Sequence, residues 1–407
     1  HIDNKAVFED VGQWKRPWYF KEHETETMHQ AVQRESKQTR QTAGILDGST
    51  LGKIEIKGRD ALEFMNLMYT NPFTKMKPMT SRYALMLGED GMIKDDGIIC
   101  KINDQHFIAT TTSSGAPKVL ADMEEYLQTE WPHLKVYLNS ITEQFSTFNI
   151  SGPKTRDIMT RVFPNIDFSN EAFPFMTFKN FDYQNTKIRI MRASFTGELG
   201  YEIYISPKYV LELWEKIFSC GKTFNLIPYG TETMHLLRAE KGYIVVGQET
   251  DGTVTPIDLN YNWMIGKNKK DFIGKRSLSR PDTSREDRKQ LVGLSPINKK
   301  DIIEEDKIVP QKEILVAPTI KFLKLLVTVL AGVMIIGFVI IVSLFILNFR
   351  TSNIPMPTKI ELPSSVSPVA YTQTKNWYAI ITDQDEILIY DRAGNQIQKI
   401  KVNFVSP

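Results

Sequence analysis

Asp95 and Asp96 stand side by side in GEDGMIKDDGIICKI, residues 88–102, inside an otherwise apolar strand pattern. Side chains alternate along a strand, so Asp96 shares a face with Ile98 and Cys100 while Asp95 points the other way. One of the two is therefore expected to face the interior, where a carboxylate can take a proton or stabilise a cation. Strand-end polarity and capping are the competing uses, and the residue types alone leave both open. Other chemistries find less support. The six histidines form no HExxH and no clustered ligand spacing, which argues against a metal centre. Cys100 and Cys220 form no CxxC pair, and two cysteines in 407 residues suit a reducing compartment. Neither GxGxxG nor GxxxxGK[ST] occurs, so no nucleotide-phosphate cradle is indicated. A net charge of +2 gives no electrostatic footprint for nucleic acid.

The elements that must position the pair are legible around it. YALML before and IICKI after read as the strands of a hairpin, with Asp90-Gly91 as a two-residue type I′ turn. GKIEIKG, residues 52–58, alternates like a half-buried strand, and RDALEFMNLMYT shows helical spacing. SSGAPKVLADMEEYLQTEW opens on serine cap candidates and continues as an amphipathic helix. SPKYVLELWEKIFSCGKTF repeats that arrangement, with a Val210/Leu213/Trp214/Ile217 stripe and Gly221 as the stop. KIRIMRASF and YEIYI read as strands between helices. The mixture predicts an α+β domain with antiparallel sheets over residues 1–296.

Beyond it the composition changes. Residues 297–320, broken by Pro310 and Pro318, read as a linker or truncated strand pair. LLVTVLAGVMIIGFVIIVSLFIL, residues 325–347, holds twenty-three positions without a charge and predicts a transmembrane helix over 321–349. Lysines upstream of it place residues 1–320 in the cytoplasm and 351–407 outside. Residues 350–407 alternate as strands around Ala393-Gly394-Asn395 and predict a small β-meander. The chain begins at His1 and reads as a piece of something longer or a processed product.

At VGQWKRPWYF, ILDGSTLGKIEIKGRDALEFMNLMYTNPFTK, DGMIKDDG, FTGELGYEIY, PYGTETMHLLRAEKGYIVVGQETDGTVTPIDL and DFIGKRSL the chain resembles a known family. It is similar to the folate-binding half of heterotetrameric sarcosine oxidase α subunits, and more broadly to the glycine-cleavage T-protein (aminomethyltransferase) and dimethylglycine dehydrogenase group. The resemblance covers residues 7 to 296. It implies three subdomains around a hole that holds tetrahydrofolate, with a one-carbon unit arriving as an iminium or formaldehyde equivalent and leaving as 5,10-methylene-tetrahydrofolate. The second aspartate of the pair then matches Asp96, beside the folate N10, where a buried carboxylate orients an amine and accepts a proton. Asp95 is structural on this reading. Glu202 matches the acid that accepts two parallel N–H groups from the amino-pyrimidine edge. Tyr83, Phe175 and Phe195 match aromatic positions around the pterin. Glu198 reads as a turn residue rather than a second acid. Arg238 stands where T-proteins carry a GARD-like segment and is expected to pair with Glu240.

The same resemblance marks departures. The family continues through a small barrel after KQLVGL, and here a stub is recognisable, so the fold is expected to have an incomplete C-terminal barrel. The flavin- and NAD-binding half is not recognisable, so this chain alone is not expected to oxidise sarcosine. The partners implied are folate, a one-carbon donor, other sarcosine oxidase subunits and, through the predicted helix, a membrane. A membrane-anchored folate binder without catalysis, a non-catalytic remnant and an artificial join near 297–320 are the alternatives.

Overall fold

Alternation and helical stripes along residues 1–293 resolve into short elements. In chain order these are β1 (Ala6–Val11), β2 (Trp14–Phe20), α1 (Met28–Gln41), β3 (Gly44–Asp47), β4 (Gly52–Lys57), α2 (Ala61–Met68), β5 (Thr80–Leu87), β6 (Ile93–Asn103), β7 (His106–Thr111), α3 (Ala116–Thr129), β8 (Tyr137–Ser140), β9 (Ser146–Ser151), α4 (Thr155–Val162), β10 (Phe178–Tyr183), β11 (Thr186–Met191), β12 (Gly200–Ile205), α5 (Val210–Gly221), β13 (Ile227–Pro228) and α6 (Thr231–Ala239). The computed structural model describes residues 1–293 and 360–402, with Met334 alone between them. Contacts divide the chain into two units, His1–Ser295 and Pro296–Pro407.

In the first unit a five-stranded sheet runs β5-β6-β7-β4-β8 and a six-stranded sheet runs β10-β11-β12-β9-β3-β13. Their pairings are antiparallel except for the two-residue contact of β13 with β3. Each sheet buries one face under helices. Phe64 and Met65 of α2 and Val119 and Met123 of α3 cover Ile54, Ile56, Ile99 and Ala109 of the first sheet. Ile158 and Met159 of α4 and Leu213 and Ile217 of α5 cover Ile150, Ile190 and Ile203 of the second. The uncovered faces meet each other: Cys100 and Ile108 pack against Phe178, Met191 and Tyr204. Because strand side chains alternate, the residues between the helix-facing ones point into this seam.

Two local expectations are corrected. The hairpin between β5 and β6 turns through the five residues 88–92, with a register shift at Met86/Leu87. Gly91 has φ 86°, whereas Asp90 stays at negative φ and accepts the Met92 N–H at 3.0 Å. The aspartate closes an Asx turn instead of supplying half of a type I′ turn. Helix α3 begins without a serine cap: Ser113 bonds Thr50 (2.9 Å), and the Gly115 N–H is taken by Thr112 Oγ1 (3.1 Å).

The membrane assignment is also corrected. Among the described residues no helix is long and apolar enough to cross a membrane. α1 and α3, at 14 residues each, reach about 21 Å at 1.5 Å per residue, short of a hydrocarbon core of about 30 Å. The predicted span, 321–349, and the 297–320 linker lie outside the described residues, and the single-pass arrangement with cytoplasmic and extracytoplasmic parts is set aside. Residues 240–293 hold two short 3₁₀ turns, Asn262–Met264 and Arg276–Ser279, and no strand belonging to a sheet.

The second unit contributes β14 (Pro368–Gln373), β15 (Trp377–Thr382), β16 (Glu386–Asp391) and β17 (Gln396–Lys401), an antiparallel meander in sequence order. Tyr378 stacks on Tyr390 at 5.3 Å over Ile380 and Leu388, and Gly394 turns the last hairpin at φ 92°.

Candidate active site

β6 sends its two aspartates to opposite faces. Asp95 goes to the helix side and is 4% exposed. Its Oδ1 accepts the N–H groups of Asp96 (2.8 Å) and Thr112 (3.1 Å), and its Oδ2 accepts the Thr112 hydroxyl at 2.8 Å. The two Thr112 bonds join β6 to the segment before α3, a structural use of Asp95. Asp96 goes to the seam and is half-buried. Tyr83 lies diagonally across the β5–β6 pairing and donates its hydroxyl to Asp96 Oδ2 at 2.5 Å. Burial pushes the Asp96 carboxyl up to about 7; the Tyr83 bond opposes this, and the Asp95 charge adds to it. A carboxyl so placed exchanges its proton near neutral pH, as a general acid–base group must.

An aromatic arc leads away from Asp96. Tyr83 meets Tyr261 edge-on at 6.5 Å, and burial together with the Asp96 charge raises the Tyr261 phenol. Tyr243 also acts on Tyr261 and lies flat against Phe195, with centroids 6.1 Å apart and an interplanar angle of 17°. Tyr243 and Tyr261 come from the irregular segment after α6, where no periodicity draws attention to them. An apolar context around two isolated loop tyrosines was the one available signal.

Glu202 enters the same seam from β12. It is 8% exposed, accepts the Tyr204 hydroxyl at 2.5 Å and is hydrogen-bonded to Asn149, its cross-strand neighbour on β9. Burial raises its carboxyl, and Tyr204, Lys53 and Asn149 oppose that in turn. Arg238, on α6, is 5% exposed and pairs with Glu249 at 2.5 Å; it also donates to the carbonyl of Tyr243 (2.9 Å) and to Gln248 Oε1. The expected Glu240 partner is thereby corrected: Arg40 holds Glu240 (2.7 Å), together with Glu198 (3.0 Å) and the carbonyls of Thr196 and Leu237. Arg238 Nε is buried with no hydrogen-bond partner among the described residues. Glu198, fixed to Arg40, is the turn residue the sequence suggested. Phe175 is 61% exposed on the 174–177 turn and makes no ring contact with the arc among the described residues. No group of three or more His, Cys, Asp or Glu able to hold a metal occurs among the described residues.

Two helix-backed antiparallel sheets packed face to face, with Asp96 and Glu202 between them, are the arrangement of an aminomethyltransferase-type fold. The structure aligns with the glycine cleavage system aminomethyltransferase T of Bartonella henselae at a TM-score of 0.59 and 24% identity, over 68% of this chain and 71% of that one. The chain belongs to the family described as GCVT N-terminal domain, whose profile matches residues 1–269. It is 51% identical over 299 residues to sarcosine oxidase subunit alpha of Corynebacterium sp. (strain U-96), covering 73% of this chain and 31% of that protein. With the aminomethyltransferase of Chlorobium phaeovibrioides (strain DSM 265 / 1930) it shares 30% over 277 residues, 68% of this chain and 72% of the relative. The chain thus spans under a third of the sarcosine oxidase subunit and most of the aminomethyltransferase. A second profile, a family of unknown function called DUF6476, matches residues 316–403.

Proposed function

We propose that the first unit binds tetrahydrofolate in the seam and helps load a one-carbon unit onto it, receiving that unit as an iminium or formaldehyde equivalent from amine oxidation of the sarcosine type. The carrying observation is Asp96, a seam-facing carboxyl tuned to about 7 and held by Tyr83. The residues fit a reduced folate in three respects. Glu202 is a buried carboxylate with lone pairs beyond those that Tyr204 and Asn149 occupy, as a donor-rich pyrimidine edge requires. The Tyr83, Tyr261, Tyr243 and Phe195 rings offer stacking surface. Arg238 Nε, beside Tyr243, is a buried donor without a partner among the described residues. When bound, the folate supplies two amine nitrogens that take up the carbon.

The chain's own part is placement and proton handling. Tyr83 fixes the Asp96 carboxyl in one orientation. Asp96 as carboxylate stabilises positive charge arising next to it and accepts the proton released when an amine forms its bond to carbon. The oxidation that generates the carbon unit is assigned to flavin chemistry of the sarcosine oxidase type. Asp96→Asn is expected to keep tetrahydrofolate affinity while slowing methylene-tetrahydrofolate formation from formaldehyde by roughly 10²- to 10⁴-fold. Isothermal titration and absorbance-monitored turnover measure the two separately, and unchanged turnover would remove Asp96 from the mechanism.

A further inference from the structure

β4 carries a lysine into the seam. Lys53 is 1% exposed, and its Nζ donates to the carbonyls of Ser49 (3.0 Å) and Leu51 (2.8 Å). Two neutral acceptors do not compensate a buried ammonium, which calls for a facing negative charge. Glu202 and Asp47 act on it, Glu202 the more strongly. Asp47 is already engaged by His1 and by the Ser49 N–H, both at 2.9 Å. Glu202 lies on β12 of the opposite sheet and acts on Lys53 through space, without a direct ion pair. Lys53 pairs with Thr110 on β7, and both line a small cavity together with Tyr204, whose hydroxyl is bonded to Glu202. Lys53 and Glu202 are both buried, so bulk solvent does not screen their interaction.

We propose that Lys53 is a positioning residue that holds Glu202 in its carboxylate form, and thereby in the state able to accept two parallel N–H donors from an amino-pyrimidine. This rests on the folate reading for the ligand, though not for the pair itself. A protonated Glu202 would turn an O–H toward the incoming N–H groups and lose one acceptor. Other groups face Glu202 as well. Tyr204 lies on its own strand, Asn149 on β9, Cys100 on β6 and Tyr229 just after β13, while Arg189 on β11 acts on Tyr204 and Cys100. Burial pushes the Cys100 thiol up to about 12 and raises both phenols, so these stay neutral at physiological pH. Lys53, lowered by burial to about 8, still carries its charge there.

The test reads Glu202 directly. Infrared difference spectra of ligand-free wild type against Glu202→Gln at neutral pH are expected to show loss of a carboxylate band. Loss of a carboxylic-acid band instead overturns the proposal, whether or not any Lys53 variant folds. In Lys53→Met the acid band should appear. Tetrahydrofolate Kd, flat between about pH 6.5 and about 8.5 in wild type, should become roughly tenfold weaker at the lower pH than at the upper one. Uniform weakening at every pH, or none, assigns Lys53 a space-filling role and overturns the proposal. If wild type fails to bind tetrahydrofolate at any pH, the folate reading falls, and the infrared comparison still decides the pairing of Lys53 with Glu202.

Discussion

Asp96 and Tyr83 set the pH behaviour at the scale of single residues. In the proposed mechanism the working form of Asp96 is the carboxylate, so turnover is expected to rise as pH increases through about 7 and to level off above it. The Tyr83 bond lowers that midpoint; Tyr83→Phe should therefore move the rise to higher pH, which a pH–rate profile of single turnovers checks. Stability carries the opposite slope. The folded carboxyl titrates near 7 and the unfolded one near 4, so between those values the folded state holds a proton that the unfolded state has released. Stability should consequently fall as pH rises across that window, and urea titrations of Asp96→Asn should lack this part of the slope. An opposite sign in the wild-type titration would contradict the burial of Asp96.

At the scale of elements, a buried carboxylate and a half-buried guanidinium tie segments distant in sequence. Glu35 on α1 accepts the Phe20 N–H at the end of β2 (2.7 Å), the Gly230 N–H (2.9 Å) and the Thr233 hydroxyl (2.6 Å) at the start of α6. Glu35→Ala leaves these donors unpaired in the interior and should cost roughly 2–4 kcal/mol in chemical denaturation. Arg40 does similar work at the other end of α1, joining the 196–198 turn to the end of α6. Arg40→Met should speed amide exchange across residues 195–199 while sparing α3. Neither tie was legible in the sequence, because each reaches residues more than 150 positions away. α5 was legible: Leu213 and Ile217 are buried as the stripe requires, since local periodicity decides such an element, although the left-handed residue that stops it is Asn225, one 3₁₀ turn beyond Gly221. The 88–92 turn was not, because its length follows from a register shift across the strand pair. For the site, the aspartate pair announced itself by type and Glu202 by family resemblance. Tyr243, Tyr261 and Lys53 did not, since loops lack a period and a strand lysine ordinarily reads as solvent-facing.

At the scale of the molecule, the two units each hold a core of their own, the first around Ile45, Ile150 and Ile203, the second around Tyr378, Ile380 and Leu388. Separate cores predict separate melting. Calorimetry of the full chain should resolve two transitions, and tetrahydrofolate should raise the midpoint of the one belonging to residues 1–295 and leave the other in place. A single transition shifted as a whole by the ligand would mean that the units fold as one. The length relation to the relatives fits this division: the aminomethyltransferase-like part covers 72% of a free-standing aminomethyltransferase and 31% of the sarcosine oxidase subunit.

Gly115 has a bearing on descent. A Cβ there would collide with Asp95 Oδ2 and with the Thr112 hydroxyl, the contacts that hold β6 in the register presenting Asp96 to the seam. Gly115 and Asp95 are therefore sterically coupled. A descendant that exchanged Gly115 for any larger residue would have to displace the Asp95 carboxylate in the same step.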